Sequence, residues 1–523
     1  MIVSGGVQAA AAREPRRTAL VAGASRLSFG ELDRAIDAAG SGFRALGLER
    51  GARLAIGLPN CAEYLIAFFA AARSGMVAVT IPSGAGATDL AAALAQARPQ
   101  AVLGTAAWVA ARWEILRAHA PGARCIAVAD GSDPRGEASP ARDGVVPWHA
   151  LVQSAGAPPP PAVPGDPFYI GYTSGSTGRP KGVVRRHEAW VRTFAAATAM
   201  FGLGPGDRFL VPGPLHFSAS LFHACHVLEI GGTVYLETRF DPRGLARRLA
   251  AERITGAFMV PTLYQALIDP DAHHLAGIDT APVRTLISCG EKLRPSVRES
   301  LQRHFPRARV FEYYGSSELG FTTVAGPGPW PAGSIGRPAP GVEVVIRRPD
   351  GTQAAPGEVG VLYARSPMMA AGYDGDGGCI VPFTDPDGWA TVGDLARMEP
   401  DGTVFLEGRA DDVINTGGAK VYPVEVEAVL AAHPAVSEVA VFGLPDARRG
   451  EVVAAAVVLR PGVRASKADL HAFCAMRLAP YKRPRVFHFV PELPRTDTGK
   501  VSRTALRARL VPGSADGRSW SGR

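Results

Sequence analysis

The sequence is short of cysteine, of aromatic residues and of concentrated charge, and each shortage removes a class of protein. Its six cysteines, Cys61, Cys125, Cys225, Cys289, Cys379 and Cys474, are scattered, with no pair at C-x-x-C spacing. That argues against a structural zinc site and a disulfide framework, and for a reducing compartment; the expected location is cytoplasmic. Aromatics make up 7% and charged residues 20% of the 523 residues, as in an ordinary globular protein. The formal net charge of +8 is not gathered into one tract, although Arg503, Arg507 and Arg509 crowd the end. These read as a solvated basic tail, and no nucleic-acid partner is expected. No window reaches the roughly 18 apolar residues of a membrane span. Residues 1–12 lack both a charged leader and a long apolar core, so a short helix is predicted there rather than a signal peptide.

What is present is the rhythm of an α/β protein. At this length more than one hydrophobic core is required, because single cores stop growing near ~250–300 residues. Leu32, Ile36, Ala39, Phe43 and Leu46 recur at steps of three and four, which predicts an amphipathic helix. Residues 54–58 form a short apolar run between Gly51 and Pro59, a buried strand. Asn60 stands where an N-cap belongs, ahead of an apolar helix over 62–72. A strand at 77–81, a helix at 88–97 and a strand at 101–103 continue the alternation. This βαβα pattern predicts a mostly parallel, helix-covered sheet. A proline run at 158–161 leads into an apolar strand at 168–173, and further strands are predicted at 208–211, 233–236, 256–260 and 284–288. Beyond Gly336 the pattern changes to strands at 342–347 and 357–365 with Asp-Gly turns at Asp350, Asp387 and Asp401. Residues 336–408 therefore read as a small β-subdomain. From Asp411 a smaller α+β unit follows. It has a helix opening at Pro423, strands at 436–442 and 452–459, and a Ser466–Asp469 capping box; a tail from Gly513 is expected to be disordered.

The most informative segment is Tyr172-Thr-Ser-Gly-Ser-Thr-Gly-Arg-Pro-Lys-Gly182. It follows an apolar strand and gathers hydroxyls, glycines and a lysine. Glycines let backbone N–H groups close on an anion. Thr173, Ser174, Ser176 and Thr177 can donate to phosphate oxygens, and Lys181 adds a charge-assisted contact. The G-x-x-x-x-G-K-[ST] spacing of a Walker A loop is absent. A linker or a phosphorylated loop is the plainer alternative.

The segment resembles the signature of the adenylate-forming superfamily, which includes acyl-CoA synthetases, peptide-synthetase adenylation domains and luciferases. Further motifs follow in the family's order. Tyr314-Gly-Ser-Ser-Glu318 resembles Y-G-x-T-E, with Ser317 in place of the usual Thr. Thr391-Val-Gly-Asp394 resembles T-G-D, and Gly408-Arg409-Ala-Asp411 resembles G-R-x-D. The segment 415–423 resembles the glycine-containing stretch after the hinge, with Asn415 where Lys is frequent. Pro494-Arg-Thr-Asp-Thr-Gly-Lys500 resembles the motif that ends in the catalytic lysine.

The resemblance implies an adenylation domain over 1–410, including the β-subdomain 336–408, and a mobile C-terminal domain over 411–512 with a tail at 513–523. It implies ATP and Mg²⁺, and an acyl-adenylate passed to coenzyme A or to a separate acyl carrier protein. Lys500, Lys181 and Glu318 would be catalytic, because a carboxylate attacking an anionic α-phosphate needs positive charge nearby, which the lysines carry themselves and Glu318 would bring by holding Mg²⁺. Thr173, Ser174, Gly175, Ser176, Thr177, Gly178, Gly290, Glu291, Lys292, Tyr313, Tyr314, Gly315, Ser316, Ser317, Asp394 and Arg409 would contact the nucleotide. Thr177 and Glu318 would hold Mg²⁺. Asp411 would be the hinge, with Gly417 and Gly418 lining a thiol channel. Taken singly, Glu318 would read as a helix N-terminal residue and Tyr314 as a core aromatic.

The substrate reading rests on less. Ser218 stands where many α-amino-acid-activating domains carry an Asp that pairs with the substrate ammonium, so an amino acid is disfavoured. A fatty or other aliphatic acid is expected, with an aryl acid as the alternative. Phe217, Ser218, Phe222, Cys289 and Phe321 are candidate acyl-pocket residues, although core packing explains each equally well. His216, His223 and His226 do not form a convincing metal set.

Overall fold

The computed structural model describes residues 1–129, 144–154, 159–173, 181–409, 412–416, 419–446, 448–495 and 501–510. The chain divides into two compact units, residues 1–343 with 364–390, and residues 344–363 with 391–523.

Strands are numbered in chain order. Among the described residues the first unit holds two nine-stranded sheets. One runs, edge to edge, β20 (Ile380–Val381), β19 (Gly372–Asp374), β9 (Lys181–Arg186), β8 (Pro167–Thr173), β4 (Val77–Thr80), β3 (Arg53–Ile56), β5 (Ala101–Thr105), β6 (Arg124–Val128) and β7 (Val145–Pro147). The other runs β16 (Arg337–Pro338), β15 (Gly320–Ala325), β14 (Arg309–Ser316), β13 (Thr285–Ser288), β12 (Gly256–Phe258), β10 (Arg208–Val211), β11 (Thr233–Leu236), β1 (Thr18–Ala22) and β2 (Ser25–Ser28). The middle of each is parallel. Its strands are short apolar runs buried on both faces, as Val77–Thr80 shows. Each sheet gains an antiparallel extension, β9–β19–β20 in one and β15–β16 in the other.

The helix Phe29–Ala45 starts at a Ser28–Glu31 capping box and buries Leu32, Ile36, Ala39 and Phe43, the predicted stripe. The helix Ala62–Arg73 is apolar all round and buries every residue except Glu63. It packs on β3, β4 and β8 of one sheet and on β1 of the other. Phe68 there meets the rings of Phe168, Tyr169 and Trp190 at 5.8–6.1 Å. Asn60 does not cap this helix. Cys61 takes the cap position without a side-chain bond. The Asn60 amide instead donates to the Gly213 and Glu237 carbonyls at 2.9 and 3.0 Å and accepts the Leu215 N–H at 2.8 Å. Buried carbonyls beyond β10 and β11 need a donor, and this long-range need outweighs the local one.

The second unit holds a four-stranded sheet, β17 (Glu343–Arg347), β18 (Gly360–Arg365), β21 (Asp394–Met398) and β22 (Val404–Arg409). The predicted turns are present, closed by bonds from Gly351 to Arg348 and from Gly402 to Glu399. Residues 364–390 join the first unit instead, because β19 pairs with β9. A second sheet contains β24 (Ala419–Val421), β23 (Ile414–Thr416), β26 (Gly450–Leu459) and β25 (Val436–Asp446), with β27 (Val486–Phe489) beside β26. Its two faces alternate by residue. Val441, Val453 and Val457 pack with Val426, Leu430 and Leu470 of the helices Pro423–Ala431 and Lys467–Ala475. Ala440, Phe442 and Ala454 pack with Leu493 and Leu506. Among the described residues no helix is long and apolar enough to cross a membrane.

Candidate active site

The segment 314–318 spans the end of β14 and the turn of the β14–β15 hairpin, with a register shift between Tyr314 and Gly315. Gly315 is required by space: a Cβ there would lie 2.1 Å from the Gly320 carbonyl oxygen. The Ser316 hydroxyl accepts the Leu319 N–H at 3.0 Å and tightens the turn. Successive strand residues face opposite ways. Tyr314 is half-buried, whereas Tyr313 is buried with its ring edge-on to Phe321 at 4.5 Å and its hydroxyl 3.3 Å from His223 Nε2. Burial, with Cys289 beside it, pushes the Tyr313 hydroxyl well above the ordinary phenol range. Its packing places Tyr313 among interior aromatics, away from the Tyr314 side of the strand.

Glu318 is buried in this hairpin turn and does not begin a helix. Its Oε1 accepts the Tyr373 hydroxyl at 3.3 Å, and its backbone carbonyl accepts the Ala370 N–H at 2.8 Å. The buried Arg185 donates to the Met368 carbonyl at 2.6 Å. Burial lowers its guanidinium to about 10, opposed by the nearby Tyr169 and Glu318.

Strands β8 and β9 pair antiparallel up to Thr173 opposite Lys181, so the glycine- and hydroxyl-rich segment joins two neighbouring strands. Lys181 sets its ammonium 5.2 Å from the centre of the Tyr373 ring. Ser174, Gly175, Ser176, Thr177 and Gly178 lie outside the described residues, as do Asp411, Gly417, Gly418 and Lys500. The segment holding Lys500 is closed at its base by the Arg495–Val501 bridge and by the Ser502 N–H on the Pro494 carbonyl.

Ser218 opens the helix Ser218–Glu229, and its hydroxyl lies 3.1 Å from that of Ser317, bringing the helix start against the hairpin turn. One turn further, Phe222 stands edge-on to Phe321 at 5.3 Å. Cys289 is buried beside Tyr313. These contacts gather Ser218, Phe222, Cys289 and Phe321 around the β14–β15 hairpin; Phe217, at the helix cap, packs on His216 at 4.2 Å. His223 and His226 stack on Phe258 and Phe194. Burial holds His216 near 4 and His226 near 3, so both are neutral.

Gly290 and Glu291 are exposed after β13. Lys292 is otherwise engaged: its ammonium lies 2.7 Å from Glu312 Oε2 and also donates to the Ser334 carbonyl. The buried Glu312 side chain needs a counter-charge, and Lys292 supplies it. In the second unit Asp394 and Arg409 are register partners on β21 and β22, and Arg409 Nε donates to Asp394 Oδ1 at 3.1 Å. The sequence reading missed Tyr373 and Arg185. Their places follow from β19 and β9 pairing beside the hairpin turn.

Residues 7–374 match the AMP-binding enzyme family, and residues 425–500 match the AMP-binding enzyme C-terminal domain. The chain belongs to the AMP-binding enzyme family. Among curated relatives in the family, the feruloyl-CoA synthase of Amycolatopsis sp is 33% identical over 511 residues, covering 95% of this chain and 96% of the relative. The uncharacterized acyl-CoA ligase YhfT of Bacillus subtilis (strain 168) is 35% identical over 364 residues, 69% of this chain and 72% of the relative. ATP-bound MatB from Rhodopseudomonas palustris superposes with a TM-score of 0.86 at 26% identity, over 97% of this chain and 98% of that one. Both family segments fall in the expected order, and the chain is an enzyme of the acid–thiol ligase class.

Proposed function

We propose that the enzyme couples ATP to the ligation of an aliphatic carboxylic acid to coenzyme A through an acyl-adenylate. The observation that carries this is the meeting of Glu318, Lys181 and the Ser218–Ser317 hydroxyl pair around one hairpin turn, through Tyr373 and directly. In the first half-reaction a carboxylate oxygen attacks the α-phosphorus and pyrophosphate leaves. In the second, the coenzyme A thiolate attacks the acyl carbon and AMP leaves. Lys181 and the hydroxyls of 173–177 would hold the phosphates, with Gly175 and Gly178 allowing the backbone close. Tyr314 would stack on adenine, with Gly290 and Glu291 near it. Asp394 and Arg409 would serve the ribose, Lys500 would offset charge on the transferring phosphoryl group, and Asp411 would be the hinge between half-reactions.

The donor set supports Mg²⁺. A single buried carboxylate beside hydroxyls offers hard oxygens, and among the described residues no group of three His, Cys, Asp or Glu forms a self-sufficient metal cage. Mg²⁺ is commonly held in this way, by one or two carboxylates and the phosphates of its nucleotide. When bound, it supplies charge neutralisation on those phosphates. Glu318 and Thr177 would hold it.

The uncharged Ser218–Ser317 pair supports an acid without an α-ammonium group. The contact of Phe222 with Phe321, one helix turn from Ser218, supports an apolar acyl group. An aryl acid is the second reading, favoured by the relative named for feruloyl-CoA synthesis. Six cysteines that form no disulfide support the cytoplasmic setting.

Pyrophosphate release with acids from acetate to palmitate, benzoates and cinnamates, with and without coenzyme A, tests the proposal. Turnover that needs coenzyme A and peaks at an aliphatic acid supports it, and F222A should move the optimum to longer chains. A peak at cinnamates establishes the aryl reading. Acyl-adenylate that stays bound despite coenzyme A assigns the thiol to a carrier protein. Silence across the panel overturns the ligase reading.

A further inference from the structure

Tyr373 touches both groups on which the ligase reading places the most weight, and it comes from neither motif. Its hydroxyl donates to Glu318 Oε1 at 3.3 Å, and its ring centre lies 5.2 Å from the Lys181 ammonium. Both contacts use parts of the side chain that do different work: the hydroxyl orients an acceptor, and the ring face attracts a cation.

The backbone delivers Tyr373 to this position from two sides. On one side Ala370 donates to the Glu318 carbonyl at 2.8 Å. On the other, Ala371 donates to the Val184 carbonyl at 2.9 Å, and β19 runs antiparallel to β9 with Tyr373 opposite Val183. Gly372, at φ +153°, makes the approach possible, since a Cβ there would stand 2.4 Å from the Val381 carbonyl oxygen. The far end is pinned by Asp374, whose carboxylate takes both Arg53 guanidinium nitrogens at 2.6 and 2.9 Å, while Arg53 also donates to the Ala97 carbonyl at 2.8 Å. Packing against Phe383 at 5.5 Å sets the ring further. Burial and the Glu318 charge raise the Tyr373 hydroxyl to about 12, so it remains a donor throughout the working range.

We propose that Tyr373 is a positioning residue that ties the Glu318 carboxylate to Lys181, so that Mg²⁺ and the ATP phosphates meet both groups at a set separation. This rests on the ligase reading above. A carboxylate held through one oxygen presents the other in a defined direction, which is how partners behind a ligand raise metal affinity. The ring meanwhile restrains a flexible lysine without drawing its charge into an ion pair with Glu318.

Binding of ATP to the full chain, followed by calorimetry without any acid at several Mg²⁺ concentrations, separates the two contacts. Y373F removes only the hydroxyl. It should raise the half-saturating Mg²⁺ about three- to tenfold, the range of one lost hydrogen bond, while ATP binding in EDTA stays unchanged. Y373L also removes the ring and should weaken the Mg²⁺-free binding as well. A Y373F protein with the wild-type Mg²⁺ requirement overturns the proposal, and so does one that only melts earlier without moving that requirement. A wild-type chain that binds no Mg·ATP sinks the ligase reading and this inference with it. Wild-type binding beside an indifferent Y373F sinks this inference alone.

Discussion

Lys292 stands 2.7 Å from Glu312 Oε2, and the other oxygen of the same carboxylate accepts the Leu293 N–H at 2.8 Å. The pair braces the loop after β13 against β14, with Lys292 about one third exposed and Glu312 buried. K292M should therefore leave the KM for ATP within about twofold and cost about 1–3 kcal/mol, because the buried Glu312 carboxylate keeps only Arg298, 3.9 Å away, as counter-charge. E312A leaves a buried N–H and two cations without their acceptor and should cost about 2–4 kcal/mol. Urea unfolding and pyrophosphate release read the two effects separately, and a large rise in the KM of K292M would place Lys292 at the nucleotide. Gly315 gives the opposite case. Its added Cβ would meet the Gly320 carbonyl, so G315A should open the hairpin, displace Ser317 and Glu318, and lower kcat/KM for ATP by about tenfold or more. Wild-type kinetics in a folded G315A would show that the turn's shape is unimportant.

At the scale of elements, the helix Gly5–Arg13 has no side-chain cap of its own. Its first amides are met by Glu229 at the end of Ser218–Glu229: Ser4 and Gly6 donate to the two carboxylate oxygens. Negative charge at a helix N-terminus is favourable, but this carboxylate is withdrawn from most of the solvent. Burial dominates and raises it to about 7, with the two amides and Arg73 acting in the other direction. Because the folded value lies above the free one of 4.5, the contribution is full below 4.5 and is lost as pH rises through about 7. The size is on the order of 3 kcal/mol at most. Urea unfolding of wild type and E229Q from pH 5 to 8 isolates it, since all other titrations cancel in the difference. Wild type should lose ground to E229Q as pH rises; a constant difference would refute the assignment.

For the molecule as a whole, acid is the greater hazard. His187 and His216 are held near 4 and His226 near 3 by burial, in the first unit. His187 lies flat on Phe168 at 4.6 Å and accepts the Val3 N–H, and His226 faces the Thr198 hydroxyl at 2.8 Å. Bases with depressed folded values contribute stability that is present above about 6.5 and disappears as pH falls through 4. The first unit should therefore lose its near-ultraviolet circular dichroism between about pH 6 and 4. Retention of that signal at pH 3.5 would show that these rings accept protons without cost.

The sequence by itself determined the class of protein, because its evidence is local. Apolar runs at 208–211 and 233–236 are strands to the residue, and the Ser466–Asp469 box begins a helix as predicted. The motif residues carry the chemistry in their types and spacing, which a linear reading can follow. Tertiary structure alone decided how those residues are used. Tyr313 and Tyr314 are neighbours in the chain, yet strand geometry buries one among aromatics and leaves the other half-exposed. Asn60 and Glu318 each have a local reading that a distant partner overrides: carbonyls beyond β10 and β11, the hydroxyl from β19. Tyr373 was not legible at all, because its partners are set by strand pairing between remote segments, and periodicity along the chain carries no record of which strands will lie side by side.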